Sequence, residues 1–358
     1  MKKTLCALAI GSTLITPVMA FADDIKIYGR AHVSLDYLDD GDKYNEVALS
    51  SNSSRLGFKA EKKFENLTAF AQIESQINFA SGSADGGSID FSTRDTFVGL
   101  KGDFGQVRVG RFDSPFKAAR SPVNVFGDQL GDLRNVTRVG NVRFDERNEN
   151  TIEYKSPKLG DFTVLAALSL HEGTTPGYTS DVEDGADRGD SRKNQAYDLA
   201  VNYKSGPVDV NAAYEKYEDD HSRNGRDGFR LAGSYKLTDD LTLGALYQNL
   251  SYDGPETAAN TDAQVFGLTG SYKFAPKTTL NAHVFQRDAD FEDADSTLIT
   301  VGVEHRLDSA VRVYGNLATM LNDKNARLTP WEQARSTNVT GVNGEDSLGL
   351  SVGMRYDF

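Results

Sequence analysis

In segment after segment between residues 24 and 358, apolar side chains return at every second position. The stretch SLGLSVGMRYDF, 347–358, shows the pattern cleanly. Leu348, Leu350, Val352, Met354, Tyr356 and Phe358 alternate with Ser347, Gly349, Ser351, Gly353, Arg355 and Asp357. A period of two places one set on each face of an extended strand. In IKIYGRAHVSLDYL, 25–38, Ile25, Ile27, Ala31, Val33, Leu35 and Tyr37 oppose Lys26, Tyr28, Arg30, His32, Ser34 and Asp36. Sixteen such segments can be marked, the first at 24–38, the second at 53–64, the fourth at 90–102 and the last at 346–358.

The connections between them narrow the choice further. Short turns such as GDFG, SPKLGD, KSGP, LTDD and APK alternate with long polar loops near 39–52, 80–89, 113–146, 171–193, 218–227, 253–262, 288–295 and 322–345. A sandwich has no reason to alternate strictly in this way. A transmembrane barrel does, with tight turns on the periplasmic side and long loops outside. About ten residues at ~3.3 Å each, tilted near 45°, cross the apolar layer of an outer membrane. Closure satisfies every backbone group where lipid offers none. The fold class expected is all-β: a sixteen-stranded antiparallel transmembrane β-barrel. Tyr37, Phe79, Tyr154, Phe162, Tyr203, Tyr235, Phe274, Tyr356 and Phe358 fall at outward strand ends, where interfacial aromatics belong.

Composition enters here as a filter. Charged residues make up 25% of the 358, and no apolar run of helix-spanning length follows the N-terminus, which excludes a helical membrane protein. Residues 1–22 read as a cleaved signal peptide: Lys2 and Lys3, an apolar stretch, then small residues ending in AFA, with cleavage after Ala22 or Ala20. Residues 23–358 are then the barrel domain. Removal takes two lysines and Cys6, the sole cysteine, and moves the net charge from −13 to −15. The remainder forms no disulfide or thiolate metal site. Its acidity and lack of a basic tract argue against nucleic-acid binding.

The longest connection, 113–146, carries Val123, Val125, Phe126, Leu130, Leu133 and Val136. That much apolar surface has to pack against something, and the inner wall of the barrel is at hand. A folded-in third loop would narrow a lumen that sixteen strands otherwise leave open. No H-E-x-x-H, G-x-S-x-G or Walker A pattern occurs, and the five histidines (32, 171, 221, 283, 305) are scattered, so no enzyme is expected. His32 is expected on solvated lumen wall.

IYGRAHVSLDY, SSRLGFKAEKKF, RDTFVGLKGDFGQVRVGR, ERNENTIEYKSP and the terminal GMRYDF occur in an order and spacing that resemble the general bacterial porins, trimeric sixteen-stranded diffusion channels of Gram-negative outer membranes. The resemblance implies a water-filled channel for passive diffusion of ions and small hydrophilic solutes. It implies a basic ladder at the pore constriction on Arg30, Arg55, Arg94 and Arg147, with Lys59 on the face of Arg55. Asp128 and Asp132, in FGDQLGD, would oppose it from the constriction loop, although Val125 stands where enterobacterial relatives carry an acidic residue. Opposed charges across a narrow gap would orient water and select ions.

The resemblance further implies a homotrimer, contact with lipopolysaccharide and outer-membrane lipid, and recognition of Tyr356 and Phe358 by the barrel assembly machinery. No cofactor is expected, though the acidic runs at 181–190 and 288–295 could bridge Ca²⁺ or Mg²⁺ to lipopolysaccharide. Two other readings compete: a barrel acting mainly as a receptor or adhesin through its long loops, and a substrate-specific channel. The latter is ranked lower because inward aromatics such as Tyr28, Phe70 and Tyr314 look few and scattered along the chain.

Overall fold

A computed structural model of the chain describes residues 24–80, 94–170, 195–218, 224–333, 335–336 and 338–358. The signal segment 1–22, the acidic run 181–190, His171 and His221 lie outside the described residues. The strands are β1 (Asp24–Asp39), β2 (Asn45–Ser51), β3 (Arg55–Phe64), β4 (Leu67–Gln76), β5 (Thr96–Gly102) and β6 (Gly105–Asp113). Next come β7 (Arg147–Lys155), β8 (Phe162–Ser169), β9 (Ala196–Ser205), β10 (Val208–Tyr217), β11 (Arg226–Lys236) and β12 (Leu241–Tyr252). The set ends with β13 (Ala263–Ala275), β14 (Thr278–Ala289), β15 (Ser296–Arg306), β16 (Val311–Asn322) and β17 (Ser347–Asp357).

Successive strands pair antiparallel all the way round, and β17 returns to β1 from Arg30↔Asp357 to Asp39↔Leu348. β1 is long enough to serve two segments on its other edge. Its first half pairs with β3, Arg30 opposite Arg55, and its second half with β2, Val33 opposite Ser51. β2 and β3 therefore fill one wall position interrupted at 52–54, and the barrel closes on sixteen positions. The expected long loop 39–52 is corrected accordingly: the chain turns within 40–44 and resumes the sheet at Asn45. At the interruption the His32 carbonyl still accepts the Asn52 N–H (2.8 Å), while Ser54 Oγ takes the His32 N–H (2.9 Å), so a side chain stands in for the missing ladder acceptor.

The two faces of the wall have different surroundings. Outward residues such as Leu35, Leu268, Leu350 and Val352 are 51–63% exposed, too much apolar surface for water to tolerate as one continuous band. Lipid is its natural solvent. Val352→Arg, near the middle of β17, is expected to cost about 2–4 kcal/mol. It should lower the temperature at which the folded barrel loses its heat-modifiable mobility on a gel. An unchanged transition would show that this face does not meet hydrocarbon.

The apolar core lies inside the barrel. The connection 114–146 (loop 3) turns inward at Ser114, whose hydroxyl accepts the Lys117 N–H (3.1 Å), with Pro115 opening the short helix Pro115–Ala118. Phe116, Val142 and Phe144 pack with Ala196, Ala200, Ala213 and Leu250 of the wall. Val123, Leu133 and Val136 pack with Ala232, Leu246, Val265, Phe285, Leu298 and Met320. The apolar residues of the loop thus pack against β9 to β16, and neither cluster includes a residue of β3 to β6.

The connection 323–346 (loop 8) also folds inward, which its polar sequence did not suggest. Trp331 is fully buried with Leu38, Leu130, Ala318 and Val339, and its Nε1–H donates to the Val339 carbonyl (2.7 Å). Arg335 pairs with Asp36, both side chains being inaccessible to solvent. This cover explains His32, expected in solvated wall yet fully buried, its Nε2 2.8 Å from the Tyr314 hydroxyl.

Candidate functional site

The narrow zone forms where loop 3 meets β1 and β3. On the wall, Arg30, Arg55 and Glu74 project from inward positions of β1, β3 and β4. Arg94 and Asp95 lie just before β5, and Arg147 opens β7. On the loop, Asp128 adopts a left-handed backbone (φ 62°), a conformation Asp tolerates better than most residues. Its backbone N–H is held by Asp132 Oδ2 (2.8 Å). The local turn thereby aims the Asp128 carboxylate at the wall.

These groups meet directly. Asp128 Oδ2 lies 3.3 Å from Arg30 Nη1 and 3.2 Å from Arg55 Nη2, while Oδ1 takes Arg134 Nη2 at 2.9 Å. Arg30 also reaches Asp357 (2.8 Å), and Arg55 lies 3.7 Å from Glu74. Arg94 donates to Glu74 (2.6 Å), and Arg147 bridges Asp95 and Asp113 (2.5 Å to the latter). Burial would raise the Asp128 pKa, but Arg134, Arg55 and Arg30 outweigh it and hold the carboxyl well below the usual range. Arg30, Arg55, Arg94, Arg134, Asp128 and Glu74 form one chain of ion pairs, and Arg147 with Asp95 and Asp113 forms a second group beside it.

Two other candidates sit elsewhere. Asp132 is fully buried and binds Arg134 through both oxygens, so it shapes the loop and pairs with none of the four wall arginines. Lys59 lies four residues beyond Arg55 toward the short-turn end, exposed, with its ammonium 4.4 Å from the centroid of Tyr28. Tyr356 and Phe358 face outward with ring centroids 5.4 Å apart. Phe358 exchanges both backbone hydrogen bonds with Gly29 (2.8 and 3.0 Å) at the seam.

Sequence reading missed Glu74, Asp95 and Asp357 as members of the network, although each occupies a polar position in an alternating segment. It also missed the root of loop 3. There Asp145, fully buried, takes Arg230 (2.5 Å) and Arg120 (3.1 Å) and fixes the returning chain to β11. Among the described residues, 288–295 included, no three His, Cys, Asp or Glu side chains converge as a metal site.

A closed sixteen-position barrel with a lipid-compatible outside, a polar lumen and a charged narrowing made by an inner loop defines an outer-membrane diffusion channel. The family model for Gram-negative porins matches residues 5–325, and the chain belongs to that family. It is 27% identical to outer membrane porin protein 32 of Delftia acidovorans over the whole of both chains. It is 34% identical to the chitoporin of Vibrio furnissii, over 43% of each chain. Among solved structures, the anion-selective porin of Comamonas acidovorans aligns with TM-score 0.77 at 22% identity, covering 94% of this chain and 99% of that one. A trimer form of OmpT from Vibrio cholerae aligns with TM-score 0.63 at 20% identity, covering 94% and 99%.

Proposed function

We propose that Arg30, Arg55, Arg94 and Arg147, together with Asp128, form the eyelet of this channel and set which ions and small hydrophilic solutes pass. Transport is passive and involves no turnover chemistry. The observation that carries the reading is the direct meeting of Arg30 and Arg55 on the wall with Asp128 on loop 3. Loop 3 fills the β9–β16 side, so passing solutes travel beside this network. Charged side chains around a constriction order water and bias ion selectivity.

The same reading takes the working unit as a homotrimer in outer-membrane lipid, supported by the trimeric neighbour. It takes the outward pair Tyr356 and Phe358 as the surface offered to the barrel assembly machinery. No cofactor is required, and a divalent cation joining acidic outer loops to lipopolysaccharide phosphates is its extension.

Purified protein in a planar bilayer is expected to give stable conductance steps, often in threes. Arg55→Ala is expected to alter both the step size and the zero-current potential in a salt gradient. Protein that folds and inserts without conducting would overturn the channel reading. A conducting Arg55→Ala variant with unaltered selectivity and step size would remove that residue from the eyelet.

A further inference from the structure

The wall from β1 to β6 carries a second arrangement, joined to the eyelet through the Tyr28 hydroxyl, which donates to Glu74 Oε2 (2.9 Å). Tyr28 stands opposite Gly57, and Phe70 opposite Gly99. A Cβ on Gly57 would lie 2.3 Å from Tyr28 Cζ, and one on Gly99 would lie 2.4 Å from Phe70 Cζ. Each ring therefore lies flat across the strand beside it, in space that only glycine leaves open. Its free face turns to the lumen.

Cations rest on those faces. Lys59 Nζ is 4.4 Å from the Tyr28 centroid and Lys101 Nζ is 5.7 Å from that of Phe70. Phe97 meets Phe70 edge-on with centroids 6.0 Å apart, and extends the apolar surface. Lys59, Lys101 and one carboxylate, Glu61, line a cleft of about 220 Å³ together with Phe70, Phe97, Gln72 and Gln106. Arg108, by contrast, is spent on a two-point pair with Glu153 (2.8 and 2.8 Å). Lys101 pairs with Glu61 (2.9 Å), but both are well exposed, and such pairs exchange easily. Among the described residues no carboxylate lies within ion-pairing distance of Lys59.

We propose that this cleft, on the short-turn side of the eyelet, binds small organic carboxylates with a flat apolar body, benzoate being the simplest. The argument is one of exchange. An ammonium that rests on a ring at an exposed site is only weakly held. It can leave that ring for a carboxylate, and the vacated π face then receives the apolar body of the same ligand. The amides of Gln72 and Gln106 supply donors to the carboxylate oxygens. An inorganic anion would use the lysines and waste the rings. A neutral sugar would have to displace the lysines with no charge gained in return.

The inference rests on the lumen admitting small solutes, so the test begins from a conducting channel. Purified full-length protein in a planar bilayer is recorded in KCl, and benzoate, acetate or glucose is added to one side. Benzoate is expected to interrupt the current in a saturable manner, at half-saturation about tenfold below acetate, a difference one apolar ring contact can supply; glucose is expected to leave it unchanged. Lys59→Gln combined with Lys101→Gln should weaken the benzoate effect about tenfold, as loss of two charge-assisted partners would. Phe70→Leu should weaken benzoate and spare acetate. Equal action of benzoate and acetate, or benzoate block that survives the double substitution, would overturn the proposal. So would a channel that conducts KCl and ignores benzoate. Absence of any KCl current would instead overturn the channel reading.

Discussion

Asp128→Ala is expected to raise the anion-to-cation permeability ratio about two- to fivefold at low salt, the effect of one unit charge several ångströms from the ion path. Three guanidiniums lose a shared carboxylate: Arg30, Arg55 and Arg134. Each retains another partner, respectively Asp357, Glu74 and Asp132. The barrel therefore persists while the narrow zone gains one net positive charge. Screening shrinks the effect as salt approaches ~1 M, where the Debye length is about 3 Å.

The pH dependence follows from the sign of the shift. Burial works to raise the Asp128 pKa, but the arginines prevail and depress it. The contribution of a depressed carboxyl is complete above its unfolded value and is lost only as pH falls through its folded one. The difference in zero-current potential between wild type and variant should accordingly persist below about pH 3, under the ordinary aspartate value of about 3.9. A difference that is lost between about pH 5 and 3 would mean that Asp128 titrates normally and is not clamped.

Trp331→Ala is the second large effect. The indole is fully buried, and removing such a ring from a packed site costs about 3–5 kcal/mol. The ring joins loop 8 to both loop 3, through Leu130, and the wall, through Leu38 and Ala318. Further ties run from the Gly131 N–H to the Pro330 carbonyl (2.7 Å) and from the Gln333 N–H to Asn135 Oδ1 (3.0 Å). The wall strands make their own ladders, so the loss falls on loop 8 rather than on the barrel. The variant should conduct more than wild type with noisier open current, and loop 8 should become cleavable by protease in folded protein. Wild-type conductance together with wild-type protease resistance would show that Trp331 does not hold the loop.

The wall was legible because its rule is simple: lipid outside and water inside impose a period of two, and each strand repeats it. Loop 3 was legible because apolar residues in a long connection need a partner surface. What was hidden depended on exceptions within the alternation. Leu38 interrupts the polar face of β1, and Leu298 stands between Ser296 and Thr300 on the inward face of β15. Each marks a place where loop, rather than water, covers the wall. Loop 8 gave a fainter sign, the single tryptophan of the chain within a polar stretch. The split of one wall position into β2 and β3 escaped because 39–52 reads as one polar loop, yet Asn45–Ser51 pairs with β1 and Ser54 Oγ takes the His32 N–H at the interruption. The flat rings escaped because Tyr28 and Phe70 are far apart in sequence and their glycines lie on neighbouring strands.

The inner packing also divides the molecule by inheritance. Loop 3 precedes in the chain the strands β9 to β16 that receive it, and their inward alanines, leucines and phenylalanine are shaped to its surface. A graft of this loop into a barrel lacking those seats would transplant a shape without its mould. Apart from Arg55 and Glu74 at the eyelet, the β3–β6 face carries no such obligation. It is the part of the barrel free to be retuned, residue by residue, as the chemistry of the surroundings changes.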